Sequence, residues 1–191
     1  IPFIDIAYQG LGKGLQDDAY GLRVMASSLP ELIIASSCSK NFGLYRERTG
    51  SITFISGSSS QAEIVLSQAK AVARQMYSMP PAHGALLVGM ILDNEELRMQ
   101  WQSELEQVRG RIISMRSILV DQIKNNNAGI NFEHIERQSG MFSFLGISSE
   151  QLERLRKDFG IYIVSSTRIN LAGINSTNIS YLAEAIKTVL N

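Results

Sequence analysis

The 191-residue chain is 45% hydrophobic and 19% charged, and its 18 basic and 18 acidic residues leave no formal net charge. That balance gives no electrostatic footprint for nucleic acid, no apolar stretch is long enough to span a bilayer, and no stretch has the pattern of a signal peptide. A single cysteine, Cys38, rules out an internal disulfide and fits a reducing compartment, so a cytoplasmic location is expected.

The chain opens inside an apolar run over residues 3–7, broken by Asp5 and read as a buried strand; with no Met before it, a fragment of a longer protein is expected. Gly10, Gly12 and Gly14 punctuate a loop. Residues 15–28 carry apolar side chains at helical spacing. Residues 31–37 form a nearly continuous apolar run, as in a parallel strand covered on both faces. Residues 51–56 read as another strand. Strand–helix–strand order predicts a right-handed βαβ unit.

Ser60-Gln61-Ala62-Glu63 reads as a capping box opening a helix with the stripe Val65, Ala69, Val72, Met76. Pro80-Pro81 stops it. Residues 82–92 are almost wholly apolar, which predicts a buried helix. After the cap-like Asp93-Asn94-Glu95-Glu96, a long amphipathic helix runs to about Lys124 on the stripe Leu97, Trp101, Leu105, Val108, Ile112, Met115, Leu119, Ile123. A loop follows at 125–129. Strands are expected at 141–145, 161–164 and 168–172, with helices from Ser148 to near Gly160 and over 178–190. The class is α/β: a mainly parallel sheet in residues 1–95, then the long helix and a smaller α+β domain in residues 96–191.

One run stands out: Ser36-Ser37-Cys38-Ser39-Lys40-Asn41-Phe42-Gly43-Leu44-Tyr45, followed by Glu47-Arg48. The carboxyl end of a buried strand is where α/β proteins place ligand chemistry. A desolvated lysine amine attacks a carbonyl to form a Schiff base. Ser37 and Arg48 are of the types that hold a phosphate. Together they suggest pyridoxal phosphate (PLP) on Lys40. Asp5 could pair with a pyridinium nitrogen, and Tyr8 could reach the same ring; from spacing alone, a turn-capping Asp and a surface Tyr are the favoured reading. Arg168, opening an apolar strand, suits a bidentate grip on a carboxylate. Arg74 reads by periodicity as a solvated helix residue. Cys38 has no adjacent base, and His83 and His134 lack metal-ligand spacing, so all three read as structural.

Five collinear blocks carry a resemblance across the whole chain: Asp5-Ile6-Ala7-Tyr8-Gln9-Gly10; the run from Ser36 to Arg48; Tyr77-Ser78-Met79-Pro80-Pro81-Ala82-His83-Gly84; Gly140-Met141-Phe142-Ser143-Phe144; and Ser166-Thr167-Arg168-Ile169-Asn170-Leu171-Ala172-Gly173. Together they closely resemble the aspartate aminotransferases and, more broadly, the class I PLP-dependent aminotransferases. The resemblance implies a fold type I large domain plus a small domain. It implies that Lys40 carries the cofactor, Asp5 pairs with its ring nitrogen, Tyr8 bonds its phenolic oxygen, and Ser37 and Arg48 hold its phosphate. Arg168, with Phe142 close by, would clamp the substrate α-carboxylate. Arg74 would reach the neighbouring subunit's site and bind the distal carboxylate, which implies a homodimer acting on amino acids and 2-oxo acids such as aspartate and 2-oxoglutarate. Aromatic amino acids are the alternative substrates. Family members are about twice as long, so the chain alone is expected to be inactive.

Overall fold

The computed structural model describes residues 1–124 and 131–190, and the chain divides into two compact units, residues 1–106 and 107–191. The loop expected at 125–129 lies outside the described residues.

In the first unit, β1 (Phe3–Ile6) pairs in parallel with β2 (Leu32–Ser37), and β2 pairs antiparallel with β3 (Gly50–Ile55). Parallel strands need a crossover, and α1 (Tyr20–Ser28) lies within it. The fold is α/β. The mainly parallel sheet foreseen in the sequence holds for β1–β2 and departs at β2–β3, where a helix-free connection over residues 38–49 lets the chain turn back on itself. Central β2 buries Leu32 and Ile34. Edge strand β1 is not the buried strand expected: Phe3 is 61% exposed, and Asp5 is exposed on the same face.

Three further departures have local causes. Residues 15–19 are turns rather than helix, because the Asp18 carboxylate accepts hydrogen bonds from the Gly10, Gly12 and Lys13 N–H groups at 2.9, 2.9 and 2.7 Å. Helix α2 (Ser59–Tyr77) is capped by Ser58, whose hydroxyl accepts from the Gln61 N–H at 3.3 Å, so it begins before the expected box. Helix α3 (His83–Asp93) was expected to be buried, yet Leu86 and Met90 are about two-thirds exposed, since no described element covers that face. Helix α4 (Glu95–Lys124) matches its signals: Asn94 Oδ1 accepts from the Leu97 N–H at 3.0 Å, and acidic Glu95 and Glu96 sit at the positive end of the helix dipole.

The second unit is built on the later turns of α4. Ile112, Leu119, Val120 and Ile123 bury with Phe132, with Ile135 of α5 (Glu133–Arg137), with Leu155 of α6 (Ser149–Phe159), and with Ile186 and Val189 of α7 (Ile179–Leu190). Ser148 and Gln151 form a full capping box on α6, and Gly160 ends it at φ 62°. Strands β4 (Phe142–Phe144) and β5 (Arg168–Asn170) pair antiparallel, and one 3-10 turn, Leu171–Gly173, follows. The strand expected at 161–164 does not form. Its backbone is drawn into the helix end and a turn: the Ile161 N–H bonds the Leu155 carbonyl at 3.0 Å, and the Val164 carbonyl accepts from the Thr167 N–H at 2.8 Å.

Candidate active site

Parallel pairing brings two strand ends side by side. The register sets Asp5 against Ala35 and Ile6 against Ser36, so the stretch running to Tyr8 and the stretch running to Lys40 leave the sheet together at carboxyl ends. Lys40 Nζ then lies 4.6 Å from the centroid of the Tyr8 ring. A cation over an aromatic face is attracted by the ring quadrupole. Lys40 is half-buried and makes no ion pair among the described residues.

The Lys40 turn is fastened on both sides. The Cys38 N–H bonds the Thr49 carbonyl at 3.0 Å, and the Ser39 N–H bonds the Ser37 hydroxyl at 3.2 Å. Trp101 of α4 stacks on Phe42 with ring centroids 4.4 Å apart and donates its indole N–H to the Asn41 carbonyl at 2.7 Å. The sequence stripe marked Trp101 as an apolar helix residue; its hold on the lysine turn carried no sequence signal. Burial pushes the Cys38 thiol above its ordinary value, which disfavours a thiolate.

Antiparallel pairing sets Ser37 against Gly50, which brings the residues just before β3 to the same strand end. A Cβ at Gly50 would collide with the Ser36 carbonyl oxygen, so the close approach requires glycine. Arg48, two residues earlier, is exposed, takes φ 52° and donates to the Tyr45 carbonyl at 3.1 Å. Asp5, Tyr8, Ser37, Lys40 and Arg48 therefore share one end of the sheet. Arg74 stands exposed in the last turn of α2, and its guanidinium makes no hydrogen bond or ion pair with a described residue.

In the second unit, Arg168 places its guanidinium carbon 4.6 Å from the Phe142 ring centroid. Phe142 and Arg168 are diagonal neighbours on one face of the two-stranded sheet, since Phe144 is directly opposite Arg168. Stacking uses the guanidinium face and leaves its edge donors for a planar carboxylate. The pair opens into a cleft of about 520 Å³ lined also by Ile161, Tyr162, Val164 and Tyr181. Thr167, just before Arg168, is a β-branched residue at φ 61°. The other positive-φ residues besides glycine among those described are Arg48 and Ser78. All three fall inside the motif blocks, where strain of this kind gathers in functional sites.

Sequence reasoning passed over Arg116, which is 4% exposed on α4 and hydrogen-bonded to the segment that carries Phe142. Its signal was available: a charged residue four after Ile112 and three before Leu119 lies on the buried stripe. No described helix is long and apolar enough to cross a membrane.

Residues 1–186 match the family described as aminotransferase class I and II. The chain is 47% identical over 190 residues to the aspartate aminotransferase of Haemophilus influenzae, covering 100% of the chain and 48% of that relative. It is 48% identical over 190 residues to the aspartate aminotransferase of Escherichia coli, again covering 100% and 48%. The crystal structure of the aromatic-amino-acid aminotransferase from Burkholderia pseudomallei, covalently bound to pyridoxal phosphate, matches with a TM-score of 0.97 at 44% identity, covering 100% of this chain and 48% of that one. The chain spans about half the length of the curated relatives it matches.

Proposed function

Because the chain belongs to the class I and II aminotransferases, we propose that its residues serve a PLP-dependent transaminase moving an amino group between aspartate and 2-oxoglutarate, in a protein of the relatives' length. The observation that carries this reading is Lys40 over Tyr8 at the shared carboxyl end of two parallel strands. The donor set suits the coenzyme. An amine meets an aldehyde, Asp5 a ring N–H, Tyr8 a phenolic oxygen, and Ser37 and Arg48 a phosphate. When bound, PLP supplies an electron sink for the pair left on the substrate α-carbon. Lys40 Nζ then takes the α-proton and returns it as a general base and acid. Arg168, stacked on Phe142, receives the α-carboxylate common to every substrate. Arg74 serves the distal carboxylate in a second copy's site, which makes the assembly a homodimer with shared active sites. Residues 1–95 contribute to the cofactor-binding large domain, and residues 96–191 supply the long helix and the small domain. The location is cytoplasmic.

A second reading, aromatic amino acids as donors, draws support from the apolar lining of the Arg168 cleft, where Ile161, Tyr162 and Val164 suit a ring as well as a short chain. The 191 residues by themselves are proposed to be inactive, since the β1 edge and the apolar face of α3 stand open.

In the full-length holoenzyme, Lys40→Ala is expected to remove the near-ultraviolet to visible band of the bound coenzyme and to lower turnover by about 10⁴-fold. A variant that keeps both band and rate overturns the assignment. Arg74→Leu should depress turnover of aspartate far more than that of phenylalanine, and equal activity on both substrates would remove the dicarboxylate reading.

A further inference from the structure

We infer that Arg116 is a positioning residue for substrate affinity: its buried guanidinium pins the register of β4 and so keeps Phe142 beneath Arg168. The inference rests on the reading of Arg168 as the α-carboxylate anchor. Arg116 is 4% exposed, yet it makes no ion pair among the described residues. Its partners are uncharged: the Ile135 carbonyl at 3.1 Å, the Gly140 carbonyl at 2.6 Å and the Ser143 hydroxyl. Two of the three belong to the segment flanking Phe142. A buried charge is a poor way to stabilise a core, where an apolar side chain of similar volume serves as well or better. What Arg116 provides instead is geometry.

The strands need that geometry. Each of β4 and β5 is three residues long, and among the described residues each pairs only with the other. So short a ladder specifies its register weakly, and a one-residue slip turns every side chain to the opposite face. In the observed register, Ser143 and Ile169 point inward and are buried, whereas Phe142 and Arg168 share the outer face. The hydrogen bond from Arg116 needs the Ser143 side chain on the inner face, which a one-residue slip of β4 would remove, and the bond to Gly140 holds the left-handed residue, φ 83°, from which the strand departs. One and a half turns earlier on α4, Arg111 does the corresponding work after β5, donating to the Ala172 and Ile174 carbonyls, each at 3.0 Å.

The test uses the full-length holoenzyme with Arg116→Met, Ser143→Ala and, as control, Arg168→Lys. Three quantities are read: KM and kcat for aspartate and for phenylalanine, the coenzyme absorbance spectrum, and the Kd of maleate, a dicarboxylate that binds without reacting, by calorimetry. Arg116→Met is expected to raise both KM values and the maleate Kd about tenfold, because displacement of an anchoring group by a fraction of an ångström is felt in binding. kcat should change far less, and the spectrum should stay the same. Ser143→Ala should shift the same constants about threefold in the same direction. A role in folding alone would lower thermal stability with both KM values and the maleate Kd unchanged, and that result overturns the inference. If Arg116→Met fails to fold, Ser143→Ala decides, and unchanged affinity there overturns it equally. Should Arg168→Lys weaken maleate while Arg116→Met and Ser143→Ala do not, only the inference falls. Should Arg168→Lys leave maleate binding intact, the carboxylate-anchor reading falls and the inference with it.

Discussion

The two units spend similar apolar sequence in opposite ways. In the second, Leu119, Val120, Phe132, Ile135, Leu155 and Ile186 are essentially inaccessible to solvent. In the first, Phe3, Ile52, Leu86, Met90 and Met76 are each more than half exposed, and α3 is apolar nearly all the way round. Such a helix belongs in the interior of a larger core. Apolar residues nominate a core, but only the elements packed against them make one. The proposed chemistry is divided the same way: the lysine and its companions lie in the unit with open apolar surface, and Arg168, proposed to bind the carboxylate, lies in the unit with a closed core.

Core truncation tests the contrast most strongly. Leu119→Ala and Phe132→Ala should each cost about 3–5 kcal/mol, from lost transfer free energy plus the cavity left behind. Leu86→Ala, at a residue 63% exposed, should fall within about 0.5 kcal/mol of wild type. Denaturant unfolding of the 191-residue chain measures all three, and comparable losses at Leu86 and Leu119 would erase the distinction between the units. A smaller effect is expected where the first unit is tightly built. Gly50→Ala drives a methyl group into the Ser36 carbonyl and should cost about 1–3 kcal/mol. A substitution at Gly50 that leaves unfolding unchanged would mean that the β2–β3 contact yields freely.

This contrast also explains what the sequence disclosed. Periodicity found α4 and α7 because their stripes are long and their partners lie within the chain. The same rule misjudged α3 and β1, whose composition describes an environment that the described residues do not supply. The strand expected at 161–164 failed because a helix end and a turn claimed its backbone groups before a ladder could. At the site, residue types and order nominated Lys40, Ser37, Arg48 and Arg168, whereas Asp5, Tyr8 and Arg74 were singled out only by the family resemblance. Two supporting residues were hidden: Asp18 gathering three N–H groups and Trp101 gripping the lysine turn act through backbone groups and leave no periodic trace of those roles. Arg116, holding β4 from the interior, was legible only as a charge on the buried stripe of α4.

The smallest effects expected are in pH dependence, one in each unit and of opposite sign. Burial raises the Cys38 thiol, so its contribution to stability is present below the ordinary thiol pKa and is lost as pH rises through the raised one. Alkylation of Cys38 should accordingly accelerate only at higher pH than for a free thiol, and rapid reaction at neutral pH would contradict the burial. Glu153 is shifted the other way, held low by hydrogen bonds from Lys157 and then Arg156. Its contribution is present above the ordinary carboxylate pKa and disappears as pH falls through the lowered one. The Glu153 side chain is 42% exposed and its partners lie one turn away on the same helix, at 2.7 Å for Arg156 and 3.2 Å for Lys157. Solvent and salt screen such pairs, so Glu153→Gln should lower Tm barely at low ionic strength and not at all in high salt. A loss that persisted in high salt would mean that α6 depends on this surface network rather than on the buried Leu155 and its capping box.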